Sequence, residues 1–469
     1  MKYLLKVLLS VLLIVNPYYA LANELPELGD SSLSAVSPKE MNKMGTQFLK
    51  EIHDNLHLLR DPISQFYLET LGNRLVKNAH TNLKHFQWLL IESSEINAFA
   101  GPNGIMGVNT GLILDTDSES ELAAVLAHEV SHVTQYHIYR SMEKSKQMMI
   151  PMIAGMIAIA AIGAASPNLG EGAMMAGMTG LQLSAVNFTR SQEWEADRIG
   201  MQTLYESGFD PNSMAKFFGK LQQAENYQMN YPAILLNHPV TPDRIGDSQN
   251  RASQFSRKEY HSSENYGLVR ERIRVFTTND LYSLLNFYKN KLTQNSSYHS
   301  DYLYGYALAL FKNHENQKAI NIIQDLIRQN PGNDIYAMTL ANFYSDERLD
   351  AKALSILEKA ALVHPNNYPL ILEYGKTLII SGHNRQAVQV LRRASLNYRN
   401  QVAFKFLLAR ALWDSGHPAE AYLVHGEALA QMGAIPQAIQ QIRHAKEMAG
   451  GDRNLRQHIE SRLKELQNT

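Results

Sequence analysis

Residues 118–134, SESELAAVLAHEVSHVT, combine a helix start with a metal-binding spacing. Ser118 and Glu121 form the S-x-x-E pattern of a capping box, which opens a helix. Leu122, Val125, Leu126, Val130 and Val133 follow at helical spacing, so the helix belongs inside a domain. Its last turns carry His128-Glu129-Val130-Ser131-His132. Positions i and i+4 lie on one helix face, so His128 and His132 can share one metal ion. Glu129 sits one residue round, in reach of the water that such a metal activates. Two surface histidines on an ordinary helix are the bland alternative, and the apolar residues around the motif weaken it.

A catalytic zinc takes three protein ligands and leaves a fourth position for water or substrate. The chain of 469 residues has no cysteine, so the third ligand is His, Asp or Glu. The same absence excludes a thiolate nucleophile and a disulfide framework. Glu193-Trp194-Glu195-Ala196-Asp197 lies downstream in a helix-forming run. Glu193 and Asp197 share a face, and Glu193 would complete a His2Glu set. Asp197 could then accept a hydrogen bond from the far nitrogen of a ligand histidine and fix its tautomer. Alone, such a carboxylate pair is usually a solvated helix face. The upstream motif changes that reading. Glu195 lies off the shared face and reads as structural, as does His137, five residues past His132.

Two further stretches bear on the site. Phe86–Glu92 reads as a strand, and Gly104–Leu114 as a strand and turn running into the next helix. As an edge strand, Gly104–Asn109 would align a peptide by β-augmentation. An ordinary strand end fits the same residues. His238-Pro239-Val240-Thr241-Pro242-Asp243-Arg244 reads as a loop, because proline disfavours helix. Lying over the site, it would let His238 fill the open metal position and hold the enzyme latent. Arg244 would stabilise an oxyanion or anchor the loop. A capped turn with a merely hydrogen-bonded His238 is the plainer alternative.

The rest of the chain sets the frame. Hydrophobic residues make up 45% and charged residues 19%, which excludes global disorder. A net charge of −1 argues against a nucleic-acid binder. Lys2 and Lys6, the apolar run Leu8–Val15 and Ala20-Leu21-Ala22 read as a secretory signal peptide over 1–22, with an N-terminal membrane anchor as the competing reading. Residues 1–22 hold two lysines and no acid, so cleavage takes the net charge from −1 to −3. In a Gram-negative cell the destination is the periplasm. Met148–Ala165 and Gly172–Val186 are apolar and rich in Met and small residues. They read as adaptable apolar surface, a buried helix pair, or peripheral membrane contact over 148–186, with true insertion as the alternative.

Residues 246–266 are polar and read as a linker, dividing a domain over 23–265 from one over 266–469. In the second, Ala307, Ala341, Gly375 and Ala409 recur every 34 residues, as do Ala319, Ala353, Ala387 and Ala421. Ala360, Ala394 and Ala428 share the spacing, as do Pro331 and Pro365. Small residues where two helices cross, at a period of 34, are the tetratricopeptide signature. Flanking helices at about 279–293 and 434–465 would cap the array. The expected fold is mainly α: an α+β peptidase domain with a small sheet, followed by an α-solenoid that binds protein.

HEVSH and EWEAD, with Asn97-Ala98-Phe99-Ala100 and Val108-Asn109-Thr110-Gly111-Leu112, resemble the HtpX-like and CAAX-prenyl-protease-like family of zinc peptidases, over about residues 40–250. With the signal peptide and repeats, nearly the whole chain is similar to the periplasmic beta-barrel assembly-enhancing proteases. The resemblance implies a gluzincin-type domain with one Zn2+ per chain on His128, His132 and Glu193, and Glu129 as catalytic base. It implies a supporting or proton-donating role for Asp197. Peptide-contacting roles at Asn97, Ala98, Gly104 and Val108 belong to the same expectation. Zinc supplies Lewis acidity and an activated water near neutral pH. The resemblance further implies action on unfolded or misassembled outer-membrane proteins, with the BAM complex as a partner through the repeats. A chaperone or adaptor with a latent protease site is the alternative.

Overall fold

In the computed structural model the described residues are 37–81, 83, 86–143, 189–226, 232–256, 258–294 and 300–467. The expected signal peptide and the apolar stretch 148–186 lie outside them. Among the described residues no helix is long and apolar enough to cross a membrane.

Helices α1 (Pro38–Asn55) and α2 (Pro62–Lys77) precede strands β1 (Gln87–Ile91), β2 (Ala98–Ala100) and β3 (Ile105–Asn109). The sheet order is β1-β3-β2, parallel between β1 and β3 and antiparallel between β3 and β2. Side chains alternate across it. Trp88, Leu90, Ala100, Met106 and Val108 enter the main core, while Leu89, Ile91, Phe99 and Ile105 meet Phe48 and Ile52 of α1 on the other face. Both faces are covered, so the strands are apolar throughout. Gly107 stands opposite Phe99, and a Cβ there would fall 2.2 Å from the Phe99 ring. β3 is therefore the central strand, not an edge. Its backbone is paired on both sides, and the expected alignment of substrate along Gly104–Asn109 does not hold. Val108 is buried, and Gly104 belongs to the 3-10 turn Pro102–Gly104 with φ 75°. The edges are β1, bridged at Ile91 by Leu58, and β2.

Helices α3 (Thr110–Asp115), α4 (Glu119–Thr134) and α5 (His137–Glu143) follow. Every residue of α4 is buried. Ser118 caps it by accepting from the Glu121 N–H, but the Glu121 carboxylate accepts from the Asp117 N–H at 2.9 Å, one residue earlier than a capping box requires. Then come α6 (Arg190–Glu206), α7 (Asn212–Asn226), α8 (Ile234–Asn237) and α9 (Pro242–Ala252). Residues 246–252, expected in the linker, complete α9. That helix buries one narrow stripe, Arg244, Ser248 and Ala252, so its composition resembles a loop.

From α10 (Glu264–Thr277) and α11 (Leu281–Gln294) the chain continues in antiparallel helix pairs. These are α12 (Ser300–Lys312) with α13 (Asn316–Gln329), α14 (Asp334–Asp346) with α15 (Asp350–Val363), α16 (Tyr368–Ile380) with α17 (Asn384–Asn397), and α18 (Ala403–Asp414) with α19 (Pro418–Gln431). The period-34 columns fall at the crossings: Ala307, Ala319, Ala341, Ala353 and Ala387 are wholly buried. At Gly375 a Cβ would lie 2.4 Å from Leu391. The first pair hides its period because Ile273 and Leu285 stand where the columns call for small residues. The expected C-terminal cap is two helices, α20 (Ile435–Met448) and α21 (Arg453–Gln467), parted at Gly450 with φ 51°.

The two halves share one core. Arg272 of α10 donates to both Asp61 oxygens at 2.8 Å and to the Tyr304 hydroxyl at 3.0 Å, all buried. Phe66 of α2 packs edge-on to Tyr368 of α16 at 5.1 Å.

Candidate metal centre

The floor of the site is the crossing of α4 and α6. Gly200 makes it close: a Cβ there would lie 3.1 Å from the Ala127 backbone and the His128 Cα. Thr189 caps α6 in a full capping box with Gln192, which fixes the first turn that carries Glu193. Glu193 and Asp197, four residues apart, then face His128 and His132.

His128 Nε2 lies 3.0 Å from His132 Nε2 and 3.6 Å from Glu193 Oε2, and His132 Nε2 lies 3.5 Å from Glu193 Oε1. His238 joins them, with Nδ1 2.9 Å from Glu193 Oε1 and 3.3 Å from His128 Nε2. One ligand atom from each of these four residues lies within 4.8 Å of the others. All four are buried. Three imidazole nitrogens aimed at one point cannot all be satisfied by protons passed among themselves, and neutral imidazole with carboxylate is a zinc-type donor set. The residues fit a metal ion. Burial, with His128 and His238 nearby, pushes the His132 imidazole well below its ordinary range, toward the neutral form that a metal requires.

Glu129, fully buried, presents Oε1 to His238 Nε2 at 3.4 Å. Burial pushes its carboxyl up, against the pull of His238 and His128. Burial pushes the His238 ring down, but the carboxylates of Glu193 and Glu129 outweigh it and the ring is pushed up to about 9. Asp197 lies behind His128, with Oδ1 3.0 Å from His128 Nδ1. Burial alone would raise the Asp197 carboxyl; hydrogen bonds with His128 and Arg244 outweigh that and hold it low. This placement suits an orienting group rather than a proton donor.

Arg244 is not in a loop. Thr241 caps α9, Pro242 takes the first helical position, and Arg244 follows in the first turn. Its Nε and Nη2 grip Asp197 at 2.7 Å each, Nη1 reaches Glu193 at 2.9 Å, and the same nitrogen donates to the Pro239 carbonyl at 2.6 Å. The guanidinium anchors the 238–241 loop to α6, with four of its five N–H donors directed at Asp197, Glu193 and the Pro239 carbonyl. An apolar recess lined by Met214, Phe217, Phe218, Leu221 and Ile234 opens beside His128 and His238.

Asn97 and Ala98 lie at the start of β2, with Ala98 opposite Val108. Both are buried, and Asn97 accepts from the Asn109 N–H at 3.0 Å. Sequence reasoning missed His137 and Glu195. Tyr136, at φ 56°, breaks α4 and turns the chain, so His137 does not continue the α4 face. Its Nδ1 comes back to 3.0 Å from His132 Nδ1, and its Nε2 lies 3.1 Å from Glu195 Oε2. Arg140 Nη1 donates to the same Glu195 oxygen at 2.9 Å. Helical spacing could not reveal this contact, because it depends on the break.

The sequence matches the model of peptidase family M48 over residues 62–252. It is 32% identical over 443 residues to the beta-barrel assembly-enhancing protease of Yersinia pestis, covering 92% of this chain and 91% of that one. The protein of the same name from Escherichia coli strain K12 is 31% identical over 425 residues, 89% and 86% of the two chains. The metalloprotease LoiP of Escherichia coli is 28% identical over 186 residues, 40% of this chain and 69% of that one. A buried donor set on an M48 domain, in a chain that matches such relatives over nearly its full length, has one reading: the chain is a metalloendopeptidase and belongs to the beta-barrel assembly-enhancing protease family.

Proposed function

We propose that the chain is a periplasmic zinc metalloendopeptidase that degrades misassembled outer-membrane proteins and assists their assembly, its repeats recruiting protein substrates or the BAM complex. The observation that carries the catalytic reading is the buried cluster of His128, His132, Glu193 and His238, with Glu129 at its edge. The proposed division is a signal peptide over 1–22, a peptidase over 23–265 and repeats over 266–469. Zinc held by His128, His132 and Glu193 would polarise the scissile carbonyl and activate water. Glu129 takes the proton of the attacking water and passes it to the leaving amine. Asp197 orients His128, and Arg244 holds Asp197 and Glu193 in place. β2, rather than β3, is the strand beside which a peptide could be aligned, through Ala98–Ala100.

The seat of His238 favours a second element of the reading: the resting enzyme is latent. His238 stands between Glu193 and Glu129, in the space that water and peptide need. The test is casein cleavage by the purified, zinc-loaded mature chain and by Glu129→Gln. Loss of cleavage by about 10²–10⁴-fold in the variant supports Glu129 as the base. Equal, measurable rates in the two chains overturn it. An assembly function that survives Glu129→Gln would mark the repeats as acting independently of proteolysis.

A further inference from the structure

His128 and His132 are held differently behind the cluster. His128 has Asp197 directly on its Nδ1 at 3.0 Å. Behind His132, Nδ1 meets the Nδ1 of a second imidazole, His137, at 3.0 Å. His137 is wholly buried and takes no place in the cluster. Its other nitrogen meets Glu195 at 3.1 Å, and Arg140 meets the same carboxylate oxygen at 2.9 Å. The Gln192 side-chain amide donates to the His137 carbonyl at 3.2 Å, fixing the residue from α6.

The proton positions along this chain of contacts follow from the donor inventory. A ligand histidine that offers Nε2 to a metal carries its proton on Nδ1. His132 Nδ1–H must then donate to His137, so His137 Nδ1 is an acceptor. His137 in turn carries its proton on Nε2 and donates to Glu195, which is acceptor-only when ionised. Arg140 supplies the opposite charge at the end. With these assignments each of the three contacts pairs one donor with one acceptor.

We propose that His137 and Glu195 form an orienting relay for the metal ligand His132, doing through an intermediate imidazole what Asp197 does directly for His128. This rests on the reading of His128, His132 and Glu193 as metal ligands. The relay fixes the His132 tautomer and ring plane and makes Nε2 a better donor, which is what an outer partner of a ligand histidine supplies. His137 and Glu195 are positioning residues and touch neither substrate nor metal. The relay also ties α5 to α6, so the setting of His132 depends on a residue outside its own helix.

The test compares mature wild type with His137→Phe, His137→Gln and Glu195→Ala. Zinc affinity is read by competition with a chromophoric chelator, ligand geometry by the visible spectrum of the Co2+-loaded chain, and folding by the Tm of the metal-free protein. Phenylalanine keeps the ring and removes both nitrogens; glutamine restores an acceptor and a donor. The expected result is zinc affinity about 10–100-fold weaker in His137→Phe, with a changed Co2+ spectrum, and largely restored in His137→Gln. Glu195→Ala, on a partly exposed side chain, should shift both readings the same way and keeps the test decisive where His137→Phe fails to fold. Unchanged affinity and spectrum in folded Glu195→Ala or His137→Phe, beside a wild type that binds zinc, overturn the relay alone. A wild type that takes up no zinc overturns the relay and the metal reading together.

Discussion

His238 Nδ1 lies 2.9 Å from Glu193 Oε1, although 45 residues separate the two in sequence. The contact puts the 238–241 loop inside the metal cluster, and Arg244 locks it there through the Pro239 carbonyl at 2.6 Å. If the seated loop excludes peptide, the measured rate reports only the fraction of chains in which His238 has left. A loop seated nine-tenths of the time would suppress cleavage about tenfold. His238→Ala should therefore raise casein cleavage by about tenfold or more with zinc content unchanged. The same rate as wild type would sink the latency reading.

Gly200 sets the spacing on which the cluster depends. A Cβ at this position meets backbone of Ala127 and His128 at 3.1 Å, and backbone cannot turn aside as a side chain can. Gly200→Val should push α6 from α4, cost about 1–3 kcal/mol of stability as overpacking does, and weaken zinc binding. Thermal melting and chelator competition measure the two effects. A variant with wild-type zinc affinity would show that the α4–α6 distance tolerates change.

The buried pair Asp61–Arg272 predicts an acid-sensitive junction between peptidase and repeats. Burial alone would push the Asp61 carboxyl up; the charge and hydrogen bonds of Arg272 outweigh it and hold the group below its ordinary value. A carboxyl lowered on folding contributes stability above its unfolded pKa of about 3.9 and loses it as pH falls through the lower folded value. Wild-type Tm should fall across that acid window. Asp61→Asn leaves Arg272 buried without a counter-charge, so it should cost about 3–5 kcal/mol at pH 7 and flatten the acid limb. Matching melting curves for the two chains from pH 7 to pH 3 would contradict this account.

The parts of the molecule that repeat or share one helix were legible in the sequence. Helical spacing alone brings His128 to His132 and Glu193 to Asp197, and the small residues at the solenoid crossings announce their own period. What escaped reading depends on breaks and on partners far away in the chain. Tyr136 turns His137 back on His132 through one left-handed residue, which no periodicity predicts. The residues of β3 fit an edge strand and an ordinary strand end alike, because neighbouring strands are not written in them. Gly107 is demanded by Phe99 on the neighbouring strand. The end of α9 passed for a linker because a helix burying three residues carries almost no apolar signal.

The central claim is that His128, His132 and Glu193 hold one zinc ion. Zinc content by mass spectrometry, on the mature chain reloaded with zinc and desalted, tests it most directly, with wild type, Glu129→Gln, His132→Ala and Glu193→Ala side by side. About one zinc per chain in wild type and Glu129→Gln, with the metal lost or greatly reduced in His132→Ala and Glu193→Ala, is the predicted result. Full zinc content in His132→Ala or Glu193→Ala, or none in wild type, would contradict it.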